Sequence, residues 1–198
     1  MKRTMFFLAK LGLLGFVSVI CYTAVNAQEA DKWVPLFNGK DLDGWVTVND
    51  AVFEARDGNL RLVRGMGWLR SEKEYDNFIL EFEWRGLEEQ YDSGILFGCS
   101  LNGKPWPEEN WQLNLRYSMI GGLLKQSKVM VPAETPRLPL NQWVKMRLEV
   151  RGHKATLDVD GERAWETDVI DEHHGYLGIQ AENKSFDFRN IRIQELGK

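Results

Sequence analysis

The chain is poor in cysteine. Of its two cysteines, Cys21 falls in a leader-like opening segment, which leaves Cys99 alone. A single thiol cannot staple a fold, so stability must come from packing. Cys99 itself reads as a small buried hydrophobe rather than a catalytic thiol. Proline is also scarce, and three of the six fall in Pro132-Ala-Glu-Thr-Pro-Arg-Leu-Pro139. Proline has no ladder donor, so that stretch is predicted to be a loop crossing an edge or end of the domain. Histidine is scarcer still, with only three. Two of them, His173 and His174, are adjacent and would face opposite ways on a strand. That makes them a poor bidentate metal site, and a loop is expected there. No phosphate loop, zinc spacing or calcium loop is present, so the residues call for no metal and leave any cofactor undetermined.

Long apolar runs are missing too. Residues 1–27 begin with Lys2, Arg3 and Lys10, continue with the apolar stretch Leu11 to Val19, and end on Val25-Asn26-Ala27. This is the pattern of a signal peptide cleaved after small residues, which predicts a secreted or periplasmic protein with no membrane partner after cleavage. A membrane anchor is the alternative, but the run is short for a bilayer span. A lipoprotein would need a small residue before Cys21, and Ile20 is not small. Without the leader, the formal charge of −4 becomes about −7. An acidic chain without a basic tract excludes nucleic acid and anionic lipid as natural partners. The sequence leaves the oligomeric state open.

What the chain does have is aromatic bulk and alternation. Eight tryptophans and ten phenylalanines supply core material. Period-2 patterning marks strands at Asn59–Val63, Phe78–Trp84, Gln112–Tyr117, Val144–Val150, Ala155–Val159 and Tyr176–Gln180. Asp57-Gly58, Asn102-Gly103 and Asp160-Gly161 are hairpin dipeptides, and the last joins a strand to Glu162–Trp165. No window sustains a helical period. Many short strands with frequent turns predict an all-β chain, a sandwich or jelly roll, and about 170 residues suit one domain. One local conflict stands out. Phe186 and Phe188 share one parity and Ile191 and Ile193 the other, so a bulge near Arg189-Asn190 is expected to reset the register.

Two phrases bracket the chain: Leu36-Phe-Asn-Gly-Lys-Asp-Leu-Asp-Gly-Trp45 and Phe188-Arg-Asn-Ile-Arg-Ile-Gln-Glu-Leu196. Between them come Asp76-Asn-Phe78 with Leu80–Trp84, then Ser93-Gly-Ile95, Trp143 and Gly178-Ile-Gln180. In this order the set resembles the 3-keto-disaccharide hydrolase domain family, over about residues 31–197. The resemblance implies a concanavalin A-like jelly roll of two antiparallel sheets whose concave face meets carbohydrate, a sugar or glycoside. It also implies cleavage of glycosides bearing a ketone at carbon 3. That ketone acidifies the carbon-2 proton, so a base can drive elimination of the leaving sugar before water adds. The chain departs from the family pattern in the middle. Asp92 and Gly98 stand where asparagine and arginine are usual, and Trp111-Gln112-Leu113-Asn114 replaces aromatic-Glu-apolar-Gln. Leu124 stands where a tyrosine is usual. Exchanging an acid for its amide keeps shape but removes the proton acceptor. The alternative reading is therefore a non-catalytic carbohydrate-binding jelly-roll module.

Glu83 and Asp92 are the candidate catalytic carboxylates. Glu83 opposes Phe82 and Trp84 in parity, and its alternative role is a solvated residue on the convex face. Asp92 is a base or metal ligand, or else part of an ordinary Asp-Ser-Gly turn. Gln112, Asn114 and Arg116 are expected on one strand face, binding sugar hydroxyls or simply meeting solvent. Glu109 could replace the lost acid from a neighbouring loop. Trp106 and Trp111 are candidate stacking platforms, and Trp68 lies in a similar setting, with core packing as the alternative for each.

Overall fold

The computed structural model of the protein describes residues 32–133 and 138–197. The segment 1–27, where a signal peptide is expected, and the middle of the proline-rich loop lie outside them. The described residues form fifteen strands and no helix. One sheet runs β13 (Glu162–Thr167), β12 (Lys154–Val159), β11 (Val144–Arg151), β6 (Phe78–Gly86), β15 (Phe186–Glu195), β4 (Asn59–Arg64), β3 (Val52–Arg56). β1 (Trp33–Pro35) adds an eighth strand by pairing with β15. The other sheet runs β10 (Lys128–Val131), β9 (Leu123–Lys125), β8 (Trp111–Asn114), β7 (Gly94–Cys99), β14 (Gly175–Glu182), β5 (Met66–Tyr75), β2 (Trp45–Asn49). All pairings are antiparallel. This is the expected all-β, concanavalin A-like jelly roll.

Alternation decides which side of each strand is buried. On β11, Val144, Met146, Leu148 and Val150 are buried, while Lys145, Arg147, Glu149 and Arg151 point outward. On β6, Phe78, Leu80, Phe82 and Trp84 join the same core, leaving Glu81, Glu83 and Arg85 outside. From the second sheet, Ile95, Phe97, Trp111, Leu113 and Ile179 close the layer. Asp57-Gly58 and Asp160-Gly161 make the expected tight hairpins, with positive φ at both residues of each pair. Asn102-Gly103 does not. It lies inside the long connection between β7 and β8, although those two strands are themselves paired.

The parity conflict in the last strand resolves as expected. β15 shifts register against β6 between Arg189 and Arg192, with Asn190 at φ +52°. The bulge lets Phe186, Phe188, Ile191 and Ile193 all enter the core. The strand predicted over Gln112–Tyr117 is shorter and ends at Asn114. There the Asn114 Oδ1 accepts the backbone N–H of Arg116 at 2.6 Å, and Gly121 N–H donates to Asn114 O at 2.8 Å. The asparagine side chain thus diverts the backbone into a turn.

Candidate functional site

The outer face of the seven-stranded sheet is shaped by two glycines. A Cβ on Gly94 would lie 2.5 Å from Gln112 Nε2, so the bare backbone there lets the Gln112 side chain lie across β7. It donates to Gln180 Oε1 on β14 at 2.9 Å. A Cβ on Gly178 would lie 2.4 Å from Trp68 Cε3, so the indole lies flat over β14. Trp68 packs with Leu96, Cys99, Val48, Trp106 and Tyr176 in a small apolar cluster separate from the main core. Trp106 arrives from the β7–β8 connection, which folds over this face. Its indole N–H donates to Ala181 O at 3.1 Å, and Asn49 Nδ2 anchors the same loop through Pro105 O at 2.7 Å. The result is a recess of about 400 Å³ bounded by Leu96, Trp106, Asn110, Gln112, Gln126 and Gln180.

Two residues beyond Gln180 on the same face of β14 stands Glu182. Burial raises its pKa, and the charge of Asp92 raises it further. Asp92 is itself raised by burial, against the pull of Arg116 and Lys184. Arg116 Nε sits 3.3 Å from Asp92 Oδ2, and its charge also lowers Glu182. Two hard-to-ionise carboxylates, one of them paired with Arg116 and both under its charge, therefore stand at the end of the glutamine row. A carboxylate poised closer to neutral pH is a better proton acceptor than a solvated one.

The predicted residues separate. Gln112, Trp106 and Asn114 lie on the outer side of the seven-stranded sheet or its turn, and Asp92 and Arg116 meet beside them. Arg116 is not in the strand row, because Asn114 has turned the chain before it. Trp111 faces the other way. It is 1% exposed, stacks on Phe97 at a centroid distance of 6.2 Å, and donates to Glu172 O at 3.1 Å. It packs in the core, and reaches the surface only as part of the wall of a recess of about 420 Å³ that Glu109 also lines. Glu83 stands on the opposite sheet and cannot reach the Gln112 face. Burial pushes its pKa up, but bonds from Asn190 and Arg189 outweigh that and hold it low. Arg189 Nη2 approaches Glu83 Oε2 at 2.6 Å and Asn190 Nδ2 approaches Oε1 at 2.7 Å. A carboxylate so held is an ion-pair partner and a weak base.

Glu83 does line a recess of about 510 Å³, with Asn38, Gly39, Lys145, Asn190 and Arg192. The two bracketing phrases thus meet across one surface depression, far apart in sequence and adjacent in space. Glu109 and His174 line a third recess of about 420 Å³, beside the Trp106 recess and not within it. His173 is buried, with Nδ1 2.8 Å from Asp171 O and Nε2 3.3 Å from Asp76 Oδ1. Among the described residues no group of three or more His, Cys, Asp or Glu side chains could hold a metal ion. Burial raises the Cys99 thiol far above its usual range, which keeps it inert. Sequence reasoning missed Gln180 and Glu182 as site residues. Extending the alternation of Tyr176–Gln180 puts them on one face, but their cross-sheet neighbours are not visible in one strand.

The family model of the 3-keto-alpha-glucoside-1,2-lyase-like domain matches residues 32–194. The chain belongs to this family. No curated protein sequence matches it. Solved structures resemble its fold. A candidate glycosyl hydrolase from Parabacteroides distasonis aligns at TM-score 0.71 and 20% identity, over 86% of this chain and 96% of its own. The carbohydrate-binding module CBM66 from Bacillus subtilis aligns at TM-score 0.66 and 15% identity, over 77% and 96%. The β-glucanase of Bacillus licheniformis aligns at 0.56 and 10%, over 84% and 98%. At these identities the likeness is one of fold. Family membership also frames the departure at Gly98. Its φ is +61°, and a Cβ there would lie 2.8 Å from His173 Cα, so this backbone accepts no arginine at that point.

Proposed function

We propose that this chain is an exported, carbohydrate-active jelly-roll protein that cleaves 3-keto-glycosides on the outer face of its seven-stranded sheet. Membership of the lyase-like family supports the sugar class, and the leader pattern at 1–27 supports export. The observation that carries the chemistry is the Asp92–Arg116–Glu182 cluster beside the Gln112–Gln180 pair. Asp92 or Glu182, ionised, takes the proton from carbon 2. The electron pair forms the carbon 1–carbon 2 double bond, conjugated to the carbon-3 ketone. The bond from carbon 1 to the glycosidic oxygen breaks, and the departing oxygen takes up a proton. Arg116 stabilises the negative charge that builds on the ketone oxygen, while Gln112 and Gln180 orient hydroxyls and Trp106 offers an apolar wall. Incubating the mature protein with several 3-keto-glycosides should release the leaving sugar. Asp92→Asn with Glu182→Gln should remove at least about 100-fold of that rate. No release from any of them would overturn the catalytic reading.

A second reading has its own support. Gln112 is an amide where the family pattern carries an acid, which fits a binding module that has lost its chemistry. Saccharide binding with no turnover, unchanged in the double variant, would select it.

A further inference from the structure

β9 and β10 are joined by Gln126-Ser127, both in the left-handed region at φ +47° and +67°. Two-residue turns of this kind favour Asn-Gly or Asp-Gly, because an ordinary side chain is strained there. The fold follows that rule at Asp57-Gly58 and Asp160-Gly161. At this one turn it keeps two full polar side chains instead. Both line the Trp106 recess, and Gln126 also lines the neighbouring recess that holds Glu109 and His174. Asn110 borders both recesses too, and Gln126 N–H donates to Asn110 O at 3.2 Å. The two hollows therefore meet at a ridge made of Asn110 and Gln126. At about 400 and 420 Å³, each is near the small end of ligand sites, which run roughly 300–1,000 Å³.

We infer that the two recesses are consecutive subsites of one groove for a neutral oligosaccharide, and that Gln126 and Ser127 hold the chain where it crosses the ridge. The ligand class follows from the lining on the Trp106 side. Gln112, Gln180, Gln126, Asn110 and Ser127 offer amide and hydroxyl groups that match sugar hydroxyls, and the two charged residues that also line it, the exposed Lys104 and Glu108, are of opposite sign and leave no net charge. Retaining strained side chains at a turn that glycine would relax is the pattern of a contact kept for binding. The inference rests on the carbohydrate reading above but not on catalysis.

The test sets stability against affinity. Calorimetric titration of the mature protein would use glucose, and the disaccharides and tetrasaccharides of the malto-, cello- and laminari-series. At least one tetrasaccharide should bind more tightly than its disaccharide and than glucose. Gln126→Asn with Ser127→Gly supplies the favoured turn, so Tm should rise while affinity for that tetrasaccharide falls about tenfold. A stabler variant that binds as well as the parent overturns the inference, as does parent protein with no preference for the longer chain or no binding at all. Length-dependent binding without turnover of 3-keto-glycosides removes the catalytic proposal and leaves this one standing.

Discussion

Asp187 shows how a single residue can be both fully buried and charged. It projects from the outward parity of β15, yet it has no exposed surface. Arg61 and Arg85 enclose it, at 2.7 Å from Oδ1 and 2.7 Å from Oδ2 respectively. Trp143 stacks beneath both Arg85 and Arg189, at 4.5 and 3.9 Å. Burial pushes the carboxyl pKa up, but the bonds from the two guanidinium groups outweigh it and the net shift is downward. Asp187→Ala leaves two cations without their partner and should cost about 3 kcal/mol in urea unfolding. Because the native pKa is the lower one, the unfolded chain binds the proton first as pH falls. This stabilisation is complete above about pH 4 and is lost as pH drops through the depressed native value. Parent and variant should therefore converge in stability in acid. Asp92 and Glu182 behave oppositely, since the folded state raises both. Their ionisation opposes folding once pH passes the ordinary carboxylate range, so Asp92→Asn should raise stability near pH 7, whatever share of the activity Glu182 retains. The pH profile of kcat/KM should rise through an inflection above about 4, the value of a solvated carboxylate. A profile flat down to that value would contradict the assignment.

Single elements settle where sequence reasoning succeeds. The β15 bulge was legible because it is a contradiction within one strand: four apolar residues, two parities, one core. The hairpins at Asp57-Gly58 and Asp160-Gly161 were legible because turn chemistry is local. β8 was misread because its apolar alternation continues through Leu115 even though Asn114 has already captured the Arg116 N–H. Leu115 still reaches the core, so burial alone gives no warning. The site was half legible. Polarity and parity pick out Gln112, but its partner Gln180 lies two strands away, and their bond depends on the missing side chain of Gly94. Glu83 looked equivalent to Asp92 because a strand's sequence does not say which of two sheets it joins. Gly98 supplies a test at this scale. Gly98→Ala meets the backbone of His173 and a left-handed φ together, and should cost about 1–3 kcal/mol in thermal or urea unfolding. A neutral effect would mean that the end of β7 gives way easily.

For the whole molecule, the two outer faces divide the labour. The eight-stranded sheet carries Arg192, Glu81, Arg147 and Asp158 in linked ion pairs, with Arg189–Glu83 and Arg61–Asp187 as further pairs. The seven-stranded sheet carries glutamines, tryptophans and the small acid cluster, with a few charges such as the exposed Lys104 and Glu108 and the Lys125–Asp171 pair around them. Added salt should therefore weaken the first face and leave neutral saccharide binding on the second nearly unchanged up to about 1 M. Titrations at low and high salt check this, and a steep salt dependence would relocate the ligand to the charged face. The jelly roll itself was readable from the ordered phrases because each encodes a turn or an alternating strand. Among the described residues, the first and last strands pair with each other in the same sheet. Trp33 pairs with Gln194 and Pro35 with Arg192, so the entrance and exit of the domain lie side by side. A unit with that doorway can be spliced into a surface loop of an unrelated host, or have its ends joined and be reopened elsewhere, with little disturbance to either partner.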